Sequence, residues 1–133
     1  MCKINIIFEL IKNEKNIKQI KIKDNGYIVN NFKINTMLQA SNILLEEQLK
    51  NKLAICLVDD DQLYCIISNE VLSAYTVYKK LDMVLTYNFS NFKFPHKGNY
   101  KIMAIIYDNN FKEDFKKLFK KENIYSTYDF LVY

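Results

Sequence analysis

The sequence predicts a mainly β fold, in which antiparallel sheets form a β-sandwich together with one or two helices. Short segments rich in Ile, Val, Tyr and Phe recur along the 133 residues, and such segments are typical of strands. Polar clusters that favour turns separate them, and two stretches show the spacing of an amphipathic helix. A mixed α+β fold is the alternative, because one of these helices precedes the last predicted strand. The length fits a single globular domain over 1–133.

The first third of the chain predicts three strands and then a helix. The polar sequence KNEKN forms the first turn, and Asp-Asn-Gly supplies a second. Residues 36–50 predict a helix, since Leu38, Leu45 and Leu49 share one helical face. The three strand segments are 2–11, 17–23 and 27–34.

An acidic turn of three aspartates joins the segments 53–58 and 62–68 into a hairpin. If the turn is centred on residues 60 and 61, Cys56 faces Cys65 at a non-hydrogen-bonded pair, where side chains lie closest. The two thiols are then either a redox-sensitive pair or two small buried side chains. A reducing compartment favours the second interpretation.

Two later strands flank a turn that contains Pro95 and Gly98. The pattern F-x-F-P-x-x-G-x-Y-x-I-x-A-x-I lies within 84–107 and resembles the late hairpin of many immunoglobulin-like sandwich modules. The resemblance implies a sandwich architecture and no particular activity. The preceding residues, 69–82, fit a helix and a strand equally well, and the choice stays open.

Residues 111–122 predict an amphipathic helix that precedes a last strand at 125–133. Asn110 and Glu113 have the spacing of an N-terminal capping box. One face of this helix is apolar and consists of Phe111, Phe115, Leu118 and Phe119. The other face carries five lysines, which are Lys112, Lys116, Lys117, Lys120 and Lys121. The apolar face is expected to dock on the sheet and leave the lysines in solvent.

The sequence contains no recognisable catalytic or metal-binding pattern. The single histidine, His96, lies in a predicted turn, where a catalytic base is poorly held. Three cysteines lack the spacing of a zinc site, and two glycines cannot make a phosphate loop. The aspartates at 59–61 have the oxygen ligands that Ca²⁺ prefers, but a solvated turn accounts for them equally. We therefore expect no enzymatic activity and no cofactor.

The composition limits the kinds of partner and the compartment that we expect for the protein. All 19 basic residues are lysine and the net charge is +4, and the abundance of Lys, Ile and Asn indicates an AT-rich genome. The absence of arginine argues against sequence-specific recognition of nucleic acid. No apolar run approaches the ~20 residues that span a bilayer, and no cleavage pattern of a signal peptide follows the first residues. We expect a cytoplasmic protein without a transmembrane segment, whose cysteines are thiols.

These observations favour a non-enzymatic protein-binding module, such as an adaptor, an assembly subunit or an inhibitor encoded by a phage or mobile element. Its partner is expected to be another, larger protein. Several late aromatic rings should lie at the surface, where they favour protein contacts. The alternative is sequence-indifferent binding of nucleic acid by the lysines, joined by Lys18, Lys21 and Lys23. The predicted partner-binding residues are Lys112, Lys116, Lys117, Lys120, Lys121, Tyr125 and Tyr128.

Overall fold

The computed structural model describes residues 3–22, 26–41, 51–59, 62–71 and 81–133. These residues form nine strands and two short 3₁₀ helices, and no α-helix occurs among them. The strands are β1 (Lys3–Lys12), β2 (Lys15–Asn16), β3 (Gln19–Ile20), β4 (Ile28–Ser41), β5 (Asn51–Asp59), β6 (Gln62–Val71), β7 (Leu81–Lys93), β8 (Gly98–Asp108) and β9 (Ile124–Val132). The 3₁₀ helices are Phe115–Leu118 and Lys121–Asn123. The prediction of a mainly β fold is confirmed.

The strands form two sheets that pack face to face. Sheet A has four strands in the order β2-β1-β4-β7, and sheet B has five in the order β3-β9-β8-β5-β6. Neighbouring strands are antiparallel except for β3 and β9, which are parallel. In immunoglobulin-like terms, β1, β4 and β7 correspond to strands A, B and E, whereas β9, β8, β5 and β6 correspond to G, F, C and C′. The predicted β-sandwich of antiparallel sheets is confirmed.

Residues at alternate positions of both sheets build the central core. The completely buried side chains of Leu10 and Ile34 in sheet A meet those of Ile55 and Ile102 in sheet B. Aromatic rings fill one end of this core and include Phe32, Phe89, Phe92, Phe94, Tyr100 and Phe130. Burial of this kind is the main favourable contribution to folding.

The pattern around Pro95 is a crossing between the sheets, so the expected late hairpin is wrong. Strand β7 pairs with β4 in sheet A, whereas β8 pairs with β5 and β9 in sheet B. The hydroxyl of Tyr100 donates to the carbonyl oxygen of His96 at 2.6 Å and accepts from the His96 backbone N–H at 3.3 Å. This arrangement is the tyrosine corner found where strands E and F of immunoglobulin-like sandwiches meet.

The predicted helix at 36–50 is wrong for the part that the structure describes. Residues 36–41 continue strand β4, in which Thr36 and Leu38 point into the core at a period of two. Pairing with both β1 and β7 satisfies the backbone of this segment on each side. Tertiary context therefore overrides the helical spacing of the leucines. Leu45 and Leu49 lie outside the described residues.

The predicted helix at 111–122 is replaced by two 3₁₀ turns. The cap is Asp114, whose side chain accepts a hydrogen bond from the backbone N–H of Lys116, so the capping box on Asn110 is not formed. Lysines recur here at a spacing of four residues, and like charges at this spacing destabilise an α-helix. The expected docking of the apolar face on the sheet is nevertheless confirmed, since Leu118 is buried against sheet B.

The hairpin of β5 and β6 forms as predicted, but its register shifts twice. Asp59 pairs with Gln62 as expected, yet Cys56 pairs with Ile66, because β-bulges interrupt the ladder. The expected Cys56–Cys65 pair is therefore wrong. Cys56 is fully buried on the outer side of sheet B, and Cys65 packs against the central core. Both are free thiols.

The open choice over residues 69–82 is settled at both ends. Residues 69–71 finish β6 and residues 81–82 begin β7, whereas 72–80 lie outside the described part of the chain.

The first turn is confirmed as a tight connection with positive φ at Asn13 and Glu14. Within the described residues, no helix is long and apolar enough to cross a membrane.

Candidate protein-docking surface

The outer faces of the two sheets differ in what covers them. On sheet B, residues 109–123, which we call the cover segment, pack over the outward side chains of β5 and β8. Leu118 is 4% exposed there. The side chains beneath it are Ala54, Cys56, Val58, Met103, Ile105 and Tyr107. The outward side chains of sheet A, by contrast, are largely exposed.

One row of apolar side chains crosses the outer face of sheet A. Ile7 pairs with Met37, and Met37 pairs with Val84, so the three residues are direct neighbours on β1, β4 and β7. Ile7 is 48% exposed and Val84 is 56% exposed, with Met37 half-buried between them. We call these three residues the apolar row. It ends at β7, an edge strand of sheet A.

Polar rows border the apolar row on both sides. Glu9, Asn35 and Thr86 are paired with one another on one side, and the Thr86 hydroxyl donates to the Asn35 side-chain oxygen at 2.8 Å. On the other side the paired residues are Asn5, Gln39 and Asp82. An exposed apolar centre within a polar rim is the arrangement typical of protein–protein contact sites.

The sequence contains a signal for one member of the apolar row, Ile7. Ile6, Ile7 and Phe8 are consecutive apolar residues in a strand whose side chains alternate between two faces. Ile6 and Phe8 are buried in the core, so Ile7 must point outward. Assigning Met37 and Val84 to the same row required the pairing register, which the sequence did not reveal.

The predicted partner-binding residues do not all share one surface. The five predicted lysines of the cover segment are exposed, and Lys117 lies 3.8 Å from the Glu113 carboxylate. Tyr125 is 48% exposed at the bulge of β9. Tyr128 instead packs against the central core, and its hydroxyl donates to the Ile17 carbonyl oxygen at 2.8 Å. Burial, and secondarily the charge of Glu9, raises the pKa of Tyr128.

The single histidine is held by acceptors on both ring nitrogens. Its Nε2 lies 2.8 Å from Asp59 Oδ2 and its Nδ1 lies 2.6 Å from the Lys97 carbonyl oxygen. Both contacts are hydrogen bonds only when both nitrogens of His96 carry protons.

Asp59 is the residue of the acidic turn that the structure describes. Asp59 Oδ1 is buried without a hydrogen-bond partner among the residues described, whereas the two following aspartates lie outside them. Within the same residues, no three His, Cys, Asp or Glu side chains converge as metal ligands.

No protein-family model matches the chain, and no curated protein matches it. Among solved structures it is similar to the CARDB domain of a Pyrococcus furiosus protein in complex with di-metal ions, with 14% identity, 97% of this chain and 93% of that chain covered, and a TM-score of 0.46. The sandwich assignment of this chain follows from its own strand order and tyrosine corner.

Proposed function

We propose that the chain is a non-enzymatic protein-binding module, which docks on a larger protein through the outer face of sheet A. The observation that carries this proposal is the apolar row, in which Ile7 and Val84 are each about half exposed at an unbroken register across three strands. Exposed apolar side chains that adjoin one another in this way mark interaction sites on folded proteins.

The contrast with sheet B supports the proposal. There the chain uses its own Phe111, Phe115 and Phe119 to cover the outer face. Sheet A has polar side chains around its apolar row instead, which is what a surface needs when it must stay soluble alone and bind a partner.

The test compares two variants that each replace one partly exposed isoleucine, on opposite sheets. Ile7→Lys places a charge at the β1 end of the row, whereas Ile66→Lys replaces a residue that is 41% exposed on β6. The affinity-tagged wild-type chain is first used to isolate the partner from the native cells, and the complex is then rebuilt from purified components. We expect Ile7→Lys to weaken the measured affinity at least tenfold, because desolvation of a charge opposes docking.

Ile66→Lys should leave the affinity within about twofold, since Ile66 lies on sheet B, outside the proposed docking face. Circular dichroism is used to check that both variants are folded. Equal binding by wild-type and Ile7→Lys chains would place the docking site elsewhere and contradict the proposal.

A second candidate function is sequence-indifferent binding of nucleic acid. The five exposed lysines between residues 112 and 121 favour it, although Glu113, Asp114 and Glu122 lie in the same cover segment. Binding should then fall steeply with salt, because each phosphate contact releases counterions. A mobility-shift titration with single- and double-stranded DNA at low salt tests it. Failure to form any complex would remove this candidate.

A further inference from the structure

The outer edge of β7 is longer and more regular than the other sheet edges. Strands β2 and β3 are two residues long and offer almost no edge. The edge of β6 is interrupted by two register shifts against β5, and bulges of this kind discourage pairing with a further strand. Strand β7 is 13 residues long, and its pairing with β4 runs without a register shift.

Strand β7 lacks the usual devices that prevent edge pairing. From Asp82 to Ser90 it contains no proline, no lysine and no positive φ, and only Asp82 is charged. The first irregularity is Asn91, whose φ is 53°. Within the described residues, β7 pairs with β4 on one side and with no strand on the other. An edge of this kind is a template for another strand.

The regular part of β7 is complementary to a second copy of itself. When two copies run antiparallel about Thr86, Asp82 faces Ser90 and Val84 faces Asn88 of the other copy. On the inner face, Leu85 faces Tyr87 of the other copy, an aliphatic–aromatic pair that stabilises antiparallel strands. No like charges face one another in this register. Pairing a strand with its own copy also gives a closed twofold assembly, which leaves no β7 edge free for a third copy.

We propose that the protein forms a homodimer by antiparallel pairing of β7 with β7 of a second copy, with the twofold axis at Thr86. This pairing joins two four-stranded sheets into one sheet of eight strands. The two apolar rows then lie on the same continuous face. The dimer does not depend on the docking function proposed above, because Ile7 lies two strands away from the β7 edge.

Sedimentation equilibrium gives the first test. The wild-type chain is expected to show a mass twice the 15.9 kDa of one copy, and dilution should shift it to the monomer. Val84→Lys should shift the equilibrium to the monomer at least tenfold. Residue 84 faces Asn88 of the second copy, and a lysine on an edge strand disfavours pairing with another strand. A wild-type chain that stays monomeric at its highest soluble concentration would overturn the proposal, as would open-ended polymers.

Cysteine cross-linking tests the register. The background replaces Cys2 and Cys65, while Cys56 is fully buried and needs no change. Under mild oxidation, Thr86→Cys should form a disulfide-linked dimer, because residues directly opposite across two strands have Cβ atoms about 5 Å apart. Val84→Cys alone and Asn88→Cys alone should not cross-link, whereas a mixture of these two variants should.

The mixture keeps the test decisive if Thr86→Cys fails to fold, since Thr86 also donates a hydrogen bond to Asn35. Residues 84 and 88 are exposed and carry the same information about the register. Self-cross-linking of Val84→Cys, or no cross-link from the mixture in a chain that sediments as a dimer, would overturn the twofold axis at Thr86. The test remains separate from docking, because Ile7→Lys should leave the dimer intact.

Discussion

Thr36 is a polar residue in the centre of the apolar core. Its side chain is completely buried between Phe8 and Leu85, its paired neighbours in sheet A. Its hydroxyl has no hydrogen-bond partner within the described part of the chain. A buried hydroxyl without a partner loses its bonds to water and gains none in return.

Thr36→Val is therefore expected to raise the free energy of unfolding by about 1 kcal/mol, since valine has nearly the same shape and carries no polar group. Urea denaturation of the wild-type and variant chains measures the difference. Thr86→Val is the matched control on the outer face of the same sheet, where the hydroxyl bonds to Asn35, and it should be neutral or mildly destabilising. A stability loss in Thr36→Val would show that its hydroxyl has a partner.

The buried thiol of Cys56 makes stability depend on alkaline pH. Desolvation by burial, and secondarily the charge of Cys65, raises the pKa of Cys56 from its ordinary value of 9.0 to about 12. The folded chain therefore retains this proton after the unfolded chain has lost it. The stability contributed by the thiol is present below pH 9 and is lost as the pH rises towards 12.

Comparison of the wild-type chain with Cys56→Ala isolates this contribution. Between pH 7 and pH 10 the wild-type chain should lose about 1.4 kcal/mol more stability than the variant, which corresponds to ionisation of an unfolded thiol one unit above its pKa. Urea denaturation at the two pH values gives both numbers. Identical losses in the two chains would mean that the Cys56 thiol ionises equally in the folded and unfolded states.

The cover segment shows how an element can be stabilised by packing where helix propensity fails. It contains two 3₁₀ helices, of which the longer has only four residues. The rings of Phe115 and Phe119 contact each other edge to face, and Phe115 also contacts Tyr107 of β8 in the same way. These contacts hold the segment over sheet B, whereas its lysines remain in solvent.

Leu118→Ala is expected to lower the free energy of unfolding by about 2–3 kcal/mol, because it leaves a cavity between the cover segment and the sheet. The same substitution should expose Cys56, so its labelling by a thiol reagent should accelerate well beyond the rate set by global unfolding. Lys116→Ala, in the same 3₁₀ helix but exposed, should change stability by less than about 0.5 kcal/mol. Slow labelling of Cys56 in a destabilised Leu118→Ala chain would contradict this role of the cover.

The sequence predicted most of the strands. It did not predict the local structures that depend on long-range contacts. Short runs rich in apolar and aromatic residues located β5, β6, β8 and β9. Strands β5 and β8 are continuous apolar runs buried on both faces, whereas β9 alternates as a half-buried strand does. The sequence could not reveal the bulges that separate Cys56 from Cys65, since a bulge depends on how the edge strand twists against its neighbour. The spacing of Leu38 with Leu45 and Leu49, and of the apolar side chains in the cover segment, favoured helices. That apolar spacing takes no account of pairing with β1 or of repulsion between neighbouring lysines.

In the molecule as a whole, the crossing from β7 to β8 connects sheet A to sheet B and holds the two sheets against each other. Tyr100 is 1% exposed, and its ring contacts Phe94 and Phe130 in the aromatic end of the core. Its hydroxyl holds the backbone of His96 within the crossing. The imidazole of His96 reaches Asp59 at the end of β5, so the same residue links the crossing to a third strand.

Tyr100→Phe removes the hydroxyl and leaves the ring packing in place. We expect it to lower the free energy of unfolding by about 1.5 kcal/mol, because the backbone groups of His96 that it satisfies are left without that partner. Tyr125→Phe, on the exposed part of β9, is the control and should have no effect beyond error. Urea denaturation with fluorescence detection measures both variants.

If the hydrogen bonds between the Tyr100 hydroxyl and the His96 backbone hold the sheets together, Tyr100→Phe should also weaken the effect of Asp59→Asn on stability. The reason is that the His96 ring is then less well positioned. Strictly additive losses in the double variant would show that the corner and the His96–Asp59 contact act independently.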